Sequence, residues 1–250
     1  MKKVLSLLLV VVLALIPISN VKSVGAAAFN PYEYELKEGV KFTSTKRDGI
    51  CGDFLKIKAN VDGIATVKIE RIKEEANQSF VDVMGLWTLQ KKLIADIPEG
   101  RKENSFAVKK GEELYVLVVS ENSRYNISYN IKKQKNYSNA VSKKKAPTLK
   151  KNKGANGCVF YSDKVKDAKW YKINVKKKGK VTVSLNYKTL NKNVKSFNFV
   201  LCNKKGNTIA NANGKSGIKK KLAKGTYYIK VGKKSNNLTE SFGSYRLKWK

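Results

Sequence analysis

The chain writes one pattern of alternating apolar residues twice. Leu55, Ile57, Gly63, Ala65, Val67 and Ile69 recur at a constant spacing as Tyr171, Ile173, Gly179, Val181, Val183 and Leu185. The endings recur too. Val108-Lys109-Lys110-Gly111, then Leu114, Val116, Val118 and Tyr125, Ile127, Tyr129, is answered by Leu222-Ala223-Lys224-Gly225, then Tyr227, Ile229, Val231 and Tyr245, Leu247, Trp249. A repeat of this length predicts two copies of one β domain. Within each copy, apolar and polar residues alternate and glycines mark the turns, the period-2 signature of strands with one face buried and one in water. Helix signals are almost absent, so the expected class is all-β, with two tandem antiparallel sandwiches. In the second copy the pattern predicts strands at 159–162, 170–175, 180–187, 197–203, 218–222, 226–231 and 244–250.

The second copy also resembles a known family. Ala168-Lys169-Trp170-Tyr171-Lys172-Ile173, then Gly179 to Leu185, Phe197 to Leu201, Gly206 to Ala210, and Leu222 with Gly225 to Ile229 resemble the bacterial pre-peptidase C-terminal domain. The first copy resembles it more weakly. The resemblance implies a jelly-roll-like sandwich appended to secreted proteins, often proteases, and similar to collagenase collagen-binding domains. Where the family commonly carries acidic residues this chain has Ala168, Lys169, Ser196 and Asn198, so no calcium role is carried over.

The N-terminus reads as an export signal. Met1-Lys2-Lys3 is followed by an apolar run from Val4 to Ile18 and by small residues at 24–28, so residues 1–28 are expected to be a cleaved signal peptide. The run is short for an uncleaved anchor. The remaining chain divides into a first sandwich at 29–133, a lysine-rich linker at 134–153 and a second sandwich at 154–250. The linker offers little apolar area, so the copies are expected to fold independently. The destination is extracellular: secreted or at the cell surface, with no stable membrane insertion after cleavage.

The chain contains no His, and Cys51, Cys158 and Cys202 form no C-x-x-C pair, so a structural zinc site has no ligand set and no metal or cofactor is expected. Two readings of Cys158 and Cys202 stay open, a disulfide within the second copy or two small buried thiols. Nothing resembles a catalytic set: no G-x-S-x-G, HExxH, P-loop or G-x-G-x-x-G, and no imidazole to activate Cys51. Glu33, Glu35, Glu38, Glu70, Glu74 and Glu75 are read as solvated surface groups rather than a carboxylate pair.

Charge separates the copies. The net charge is +33; Phe29 to Ala140 holds 19 basic and 16 acidic residues, whereas Val141 to Lys250 holds 30 basic against Asp163, Asp167 and Glu240. Lysine-biased composition explains the shortage of Arg but not why Glu nearly disappears after residue 140. Strand alternation places Trp170, Lys172, Tyr228, Lys230, Arg246 and Lys248 on outer sheet faces, with Lys176 to Lys178, Lys204-Lys205, Lys219 to Lys221 and Lys233-Lys234 around them. Those six are the candidate polyanion-binding residues, although lysine stems covering Trp170 and Tyr228 is an equal reading. The expected function is non-catalytic binding to an anionic extracellular polymer: teichoic acid, an anionic glycan or nucleic acid. The alternative is a protein-binding or targeting module for a secreted protease or collagen-like partner.

Overall fold

The computed structural model describes residues 31–250 apart from 46, 48, 73–79, 98–99, 136, 189, 191–196, 213–216 and 236–241. The expected signal peptide lies outside the described residues.

The first sandwich is built from β1 (Tyr32–Glu35), β2 (Phe42–Thr43), β3 (Ile50–Lys58), β4 (Gly63–Arg71), β5 (Phe80–Trp87), β6 (Leu93–Asp96), β7 (Glu103–Val108), β8 (Glu113–Glu121) and β9 (Tyr125–Lys133). One sheet has the order β1-β3-β8-β5-β6 and the other β2-β9-β4-β7. The second is built from β10 (Gly154–Val159), β11 (Lys169–Val175), β12 (Gly179–Lys188), β13 (Phe197–Cys202), β14 (Thr208–Asn211), β15 (Gly217–Leu222), β16 (Gly225–Lys233) and β17 (Gly243–Trp249). Its sheets run β11-β16-β13-β14 and β10-β17-β12-β15, the same plan written again. The pairings are antiparallel except for β1, which joins β3 in parallel. Among the described residues no helix is long and apolar enough to cross a membrane.

The repeated residues are the inward-facing ones. Leu55, Ile57, Ala65, Val67, Ile69, Leu114, Val116, Val118, Tyr125, Ile127 and Tyr129 meet in the first core. Tyr171, Ile173, Val181, Val183, Leu185, Ile229, Val231, Tyr245, Leu247 and Trp249 meet in the second. Strand β8 departs from simple alternation. Its run Leu114 to Val119 is buried on both faces, because Tyr115, Leu117 and Val119 pack outward with Phe54 and Trp87. A continuous apolar run is what a strand covered on both sides needs.

Two expected boundaries move. The first strand of the second copy lies at Gly154–Val159 rather than 159–162. Its glycines lie ahead of the expected strand, and close packing requires them. A Cβ at Gly157 would fall 2.2 Å from the Tyr245 ring, and one at Gly154 2.5 Å from the Arg246 Nε. The expected linker is also partly sandwich. Trp170 N–H donates to Ala140 O, Lys172 N–H to Pro147 O, and Leu149 N–H to Lys172 O, so residues 140–149 lie along the edge of β11. Thr148 bridges Lys172 in parallel, as β1 joins β3. A short edge strand, Thr208–Asn211, adds to the strands expected from alternation.

The copies are joined, not merely tethered. Phe160 and Cys158 are fully buried against Ala107, with Ile64 and Tyr137 packed beside them. Leu190 and Phe242 of the second sandwich belong to the first core, and the Arg101 guanidinium donates to Leu190 O. Beside the linker, which offers little apolar area, this seam buries apolar surface that two separately folding copies would expose. Cys158 sits in the seam, whereas Cys202 lies on β13 of the other sheet; both thiols are free, so the disulfide reading is corrected.

Candidate functional site

The six candidate residues occupy two opposite faces of the second sandwich. Trp170 and Lys172 stand on β11 opposite Lys230 and Tyr228 of β16, and all four are half-buried. Arg246 and Lys248 are exposed on β17, which belongs to the other sheet. The body of the sandwich separates the groups, so they do not form one site. Alternation tells which residues face out, but not which of two sheets a strand joins.

On the first face the aromatic pair meets edge-on, with ring centroids 6.2 Å apart. Lys230 Nζ lies 5.5 Å from the Trp170 ring and Lys143 Nζ 5.9 Å from the Tyr228 ring. The Lys143 ammonium is held there by the carbonyls of Lys204 and Lys205, at 3.3 and 3.0 Å. Its position follows from the 140–149 segment lying against β11. The aromatics are therefore packed beneath lysines, in a cation–π arrangement.

The opposite face is more open. Lys180 and Lys188 on β12, Lys219 and Lys221 on β15, and Arg246 and Lys248 on β17 are exposed. Lys180 stands directly across from Lys221, a like-charge pairing that costs stability in a sheet. Lys248 stands across from Ser184 and Arg246 across from Asn186. The Arg246 side chain reaches over Gly154 because no Cβ is there.

One end of this sandwich holds a groove of about 770 Å³. Lys150 and Lys151 border it on one side, Lys176, Lys177 and Lys178 form the β11–β12 turn on another, and Lys180 and Lys250 link it to the open face. Leu149, Val175, Val181 and Trp249 form its apolar wall. The Trp249 indole is buried, and its Nε1–H donates to Leu149 O at 2.7 Å, so the ring serves the core. A second cavity of about 370 Å³ lies between the sandwiches, where Lys188, Asn156 and Ser244 face Lys132, Lys133 and Lys135. Sequence runs pointed to Lys176 to Lys178 and to Lys219 to Lys221. Grouping Lys180, Lys188, Lys250 and the first copy's lysines with them needed strand pairing.

The acids of the second sandwich are engaged internally. Asp163 is buried and bonds Lys169 Nζ at 2.9 Å and Phe160 N–H at 3.0 Å. Asp167 accepts from Lys164 N–H at 2.8 Å, and Glu240 lies outside the described residues. With so few acids among the described residues, the surface lysines of this sandwich leave an excess of positive charge, and a field of one sign concentrates counter-ions.

Three of the glutamates read as solvated surface groups, Glu33, Glu35 and Glu38, are engaged by neighbours. Glu33 binds Lys91 and the Tyr115 hydroxyl, which lowers its pKa, and the same bond pushes the Tyr115 hydroxyl up to about 12. Glu35 pairs with Lys56, and Glu38 accepts from Ile131 N–H. Glu74 and Glu75 lie outside the described residues. Among the described residues no cluster of three or more His, Cys, Asp or Glu stands together to hold a metal. At the seam, burial pushes the Cys158 thiol up to about 12, which removes its nucleophilic thiolate at neutral pH.

No protein-family model and no curated protein matches this chain. Among solved structures it is similar to the pre-peptidase C-terminal domain of collagenase from Bacillus anthracis, at 23% identity and a TM-score of 0.34, over 42% of this chain and 95% of that one. It is similar to a periplasmic inhibitor of g-type lysozyme from Aeromonas hydrophila, at 10% identity and a TM-score of 0.30, over 41% and 97%. Tripeptidyl peptidase 2 gives 13% identity and a TM-score of 0.29, over 87% of this chain and 24% of that one.

Proposed function

We propose that this chain is a secreted, non-catalytic binding protein whose second sandwich attaches to anionic extracellular polymers. The observation that carries the reading is the excess of 30 basic over 3 acidic residues after residue 140, with Asp163 and Asp167 both bonded within the fold. Exposed ammonium groups at the end groove and on the open face draw in a polyanion, and release of its condensed counterions drives binding. Lysine supplies point charges on flexible stems rather than a planar fork, so the attraction is tolerant of polymer detail.

The test is a titration of the full-length chain with heparin and with teichoic acid at several salt concentrations. Affinity is expected to fall steeply as salt rises, and K176Q/K177Q/K178Q is expected to flatten that dependence. Weak binding that ignores salt would overturn the reading and leave the protein-binding or targeting alternative, with a secreted protease or a collagen-like chain as partner.

A further inference from the structure

We propose that the open face of the second sandwich is a continuous track for a linear polyol-phosphate chain, running from the end groove to the cleft between the sandwiches and completed by lysines of the first sandwich. The inference rests on the polyanion reading and goes further, because it names the polymer chemistry, its path and a contribution from the nearly neutral copy.

Strand β12 ties the two cavities together. Lys180 lines the end groove and Lys188 lines the cleft. They sit an even number of residues apart, so both project from the same side of the strand. Eight residue steps at about 3.4 Å make a run of about 27 Å. Between them the same side carries Thr182, Ser184 and Asn186, which offer hydrogen bonds and no negative charge. Lys248 and Arg246 flank this row on β17, and Lys219 and Lys221 flank it on β15. At the far end Lys132, Lys133 and Lys135 of the first sandwich meet Lys188 across the cleft. Among the described residues that line either cavity there is no Asp or Glu. The facing pair Lys180 and Lys221 repels across the sheet until an anion lies between them.

The side-chain chemistry suits a charged chain without bases. Apart from Arg246 the cations are lysines, point charges on flexible stems that pair with successive phosphates of a linear chain without requiring the fixed geometry of an arginine fork. No aromatic ring is offered along the row. Trp249 is turned into the core, and Trp170 and Tyr228 stand on the other sheet. A chain of phosphodiesters without bases therefore meets everything the track presents, while a nucleic acid gains no stacking.

Abasic deoxyribose-phosphate oligomers of two, four, eight and twelve units serve as the probe, bound to the full-length chain at several salt concentrations. Affinity is expected to climb with length until the oligomer spans the face, and then to level off. K132Q/K133Q/K135Q is expected to weaken binding of the twelve-unit probe several-fold, to leave the two-unit probe unchanged, and to reduce the logarithmic salt slope by about 2 at ~0.7 per lost phosphate contact. K188Q alone is expected to act in the same direction, and covers the case of a triple variant that melts early.

An affinity that levels off at two units, or a twelve-unit affinity untouched by the first-sandwich lysines, overturns the track while leaving polyanion binding at the groove. Tighter binding of a base-bearing strand of equal length, lost on Trp170→Ala, moves the site to the opposite face and also overturns it. Absence of salt-dependent binding at every length removes both the track and the function beneath it.

Discussion

The two sandwiches hold the same buried ion pair with its polarity reversed. In the first, Asp53 is buried and both carboxylate oxygens accept from Arg47 Nη2, at 2.6 and 2.5 Å, while the Tyr125 hydroxyl donates to it as well. In the second, Lys169 is 2% exposed and its Nζ meets Asp163 at 2.9 Å. The spacing between partners is six residues in both, and the constant offset of the repeat maps 47 onto 163 and 53 onto 169. Both copies keep a buried ion pair at this place, with the sign of each partner exchanged.

Surface pairs behave differently. Lys58 and Glu113 form a 3.1 Å ion pair across β3 and β8; at the matching place on β11 and β16, Thr226 donates to Asn174 at 3.2 Å. Lys68 pairs with Glu103, whereas the second copy sets Ser184 opposite Gly217. Exposed ion pairs contribute little to stability. Losing them costs the fold little and leaves the described surface of the second copy with few acids, whereas removing one partner of the buried pair would strand a charge.

The largest expected effect tests that equivalence. Asp163→Ala strands the buried Lys169 ammonium and is expected to cost about 3–5 kcal/mol. At roughly 2–4 °C per kcal/mol, the melting temperature should fall by about 6–20 °C. Replacing both residues, as D163L/K169M, should recover most of the loss. A shift below about 2 °C for Asp163→Ala would break the comparison.

Next is the seam. Phe160→Ala is expected to cost about 3–5 kcal/mol by leaving a cavity between the sandwiches. Calorimetry of the full-length chain should show one cooperative melt that splits into two in this variant. Cys158 should also begin to react with a thiol reagent at neutral pH, since burial holds its thiol up to about 12 only while the seam is closed. Two separate melts in the unaltered chain would restore independent copies.

A smaller effect depends on pH. Burial raises the Glu112 pKa above 4.5, against hydrogen bonds from Lys109 N–H and Ser162 that lower it. The folded protein thus binds this proton more tightly than the unfolded chain, and the contribution to stability declines as pH rises from about 4.5 through the folded value. Glu112→Gln is expected to raise the melting temperature by about 2–4 °C at neutral pH and to lose that advantage in acid. Burial lowers the pKa of Lys233, opposed by Asp163 and Glu112, so its slope has the opposite sign and lies below 10.5. Melts from pH 3 to 10 separate the two.

The smallest effect on stability belongs to the outward lysines. Lys172→Gln, Lys230→Gln and Lys248→Gln should each change stability by less than about 0.5 kcal/mol. Their binding effects should diverge: Lys248→Gln lies on the track and weakens the long phosphodiester probe, whereas the other two lie on the opposite face and leave it unchanged.

The alternation of single residues was enough to identify the two cores. Tyr171, Ile173, Val181 and Val183 alternate with polar neighbours, and because strand geometry sends successive side chains to opposite faces, local order alone separates inside from outside. The charge asymmetry is likewise a property of composition. Which sheet each strand joins depends on contacts between residues far apart in the chain, and only the folded chain decided it. That pairing put Lys172 and Lys248 on opposite faces, made Gly154 and Gly157 part of a strand, and laid residues 140–149 along β11. It also buried Phe160 against Ala107 and brought Lys133 to Lys188. Local periodicity carries no information about such long-range partners, because the same alternating strand fits any edge that buries its apolar side.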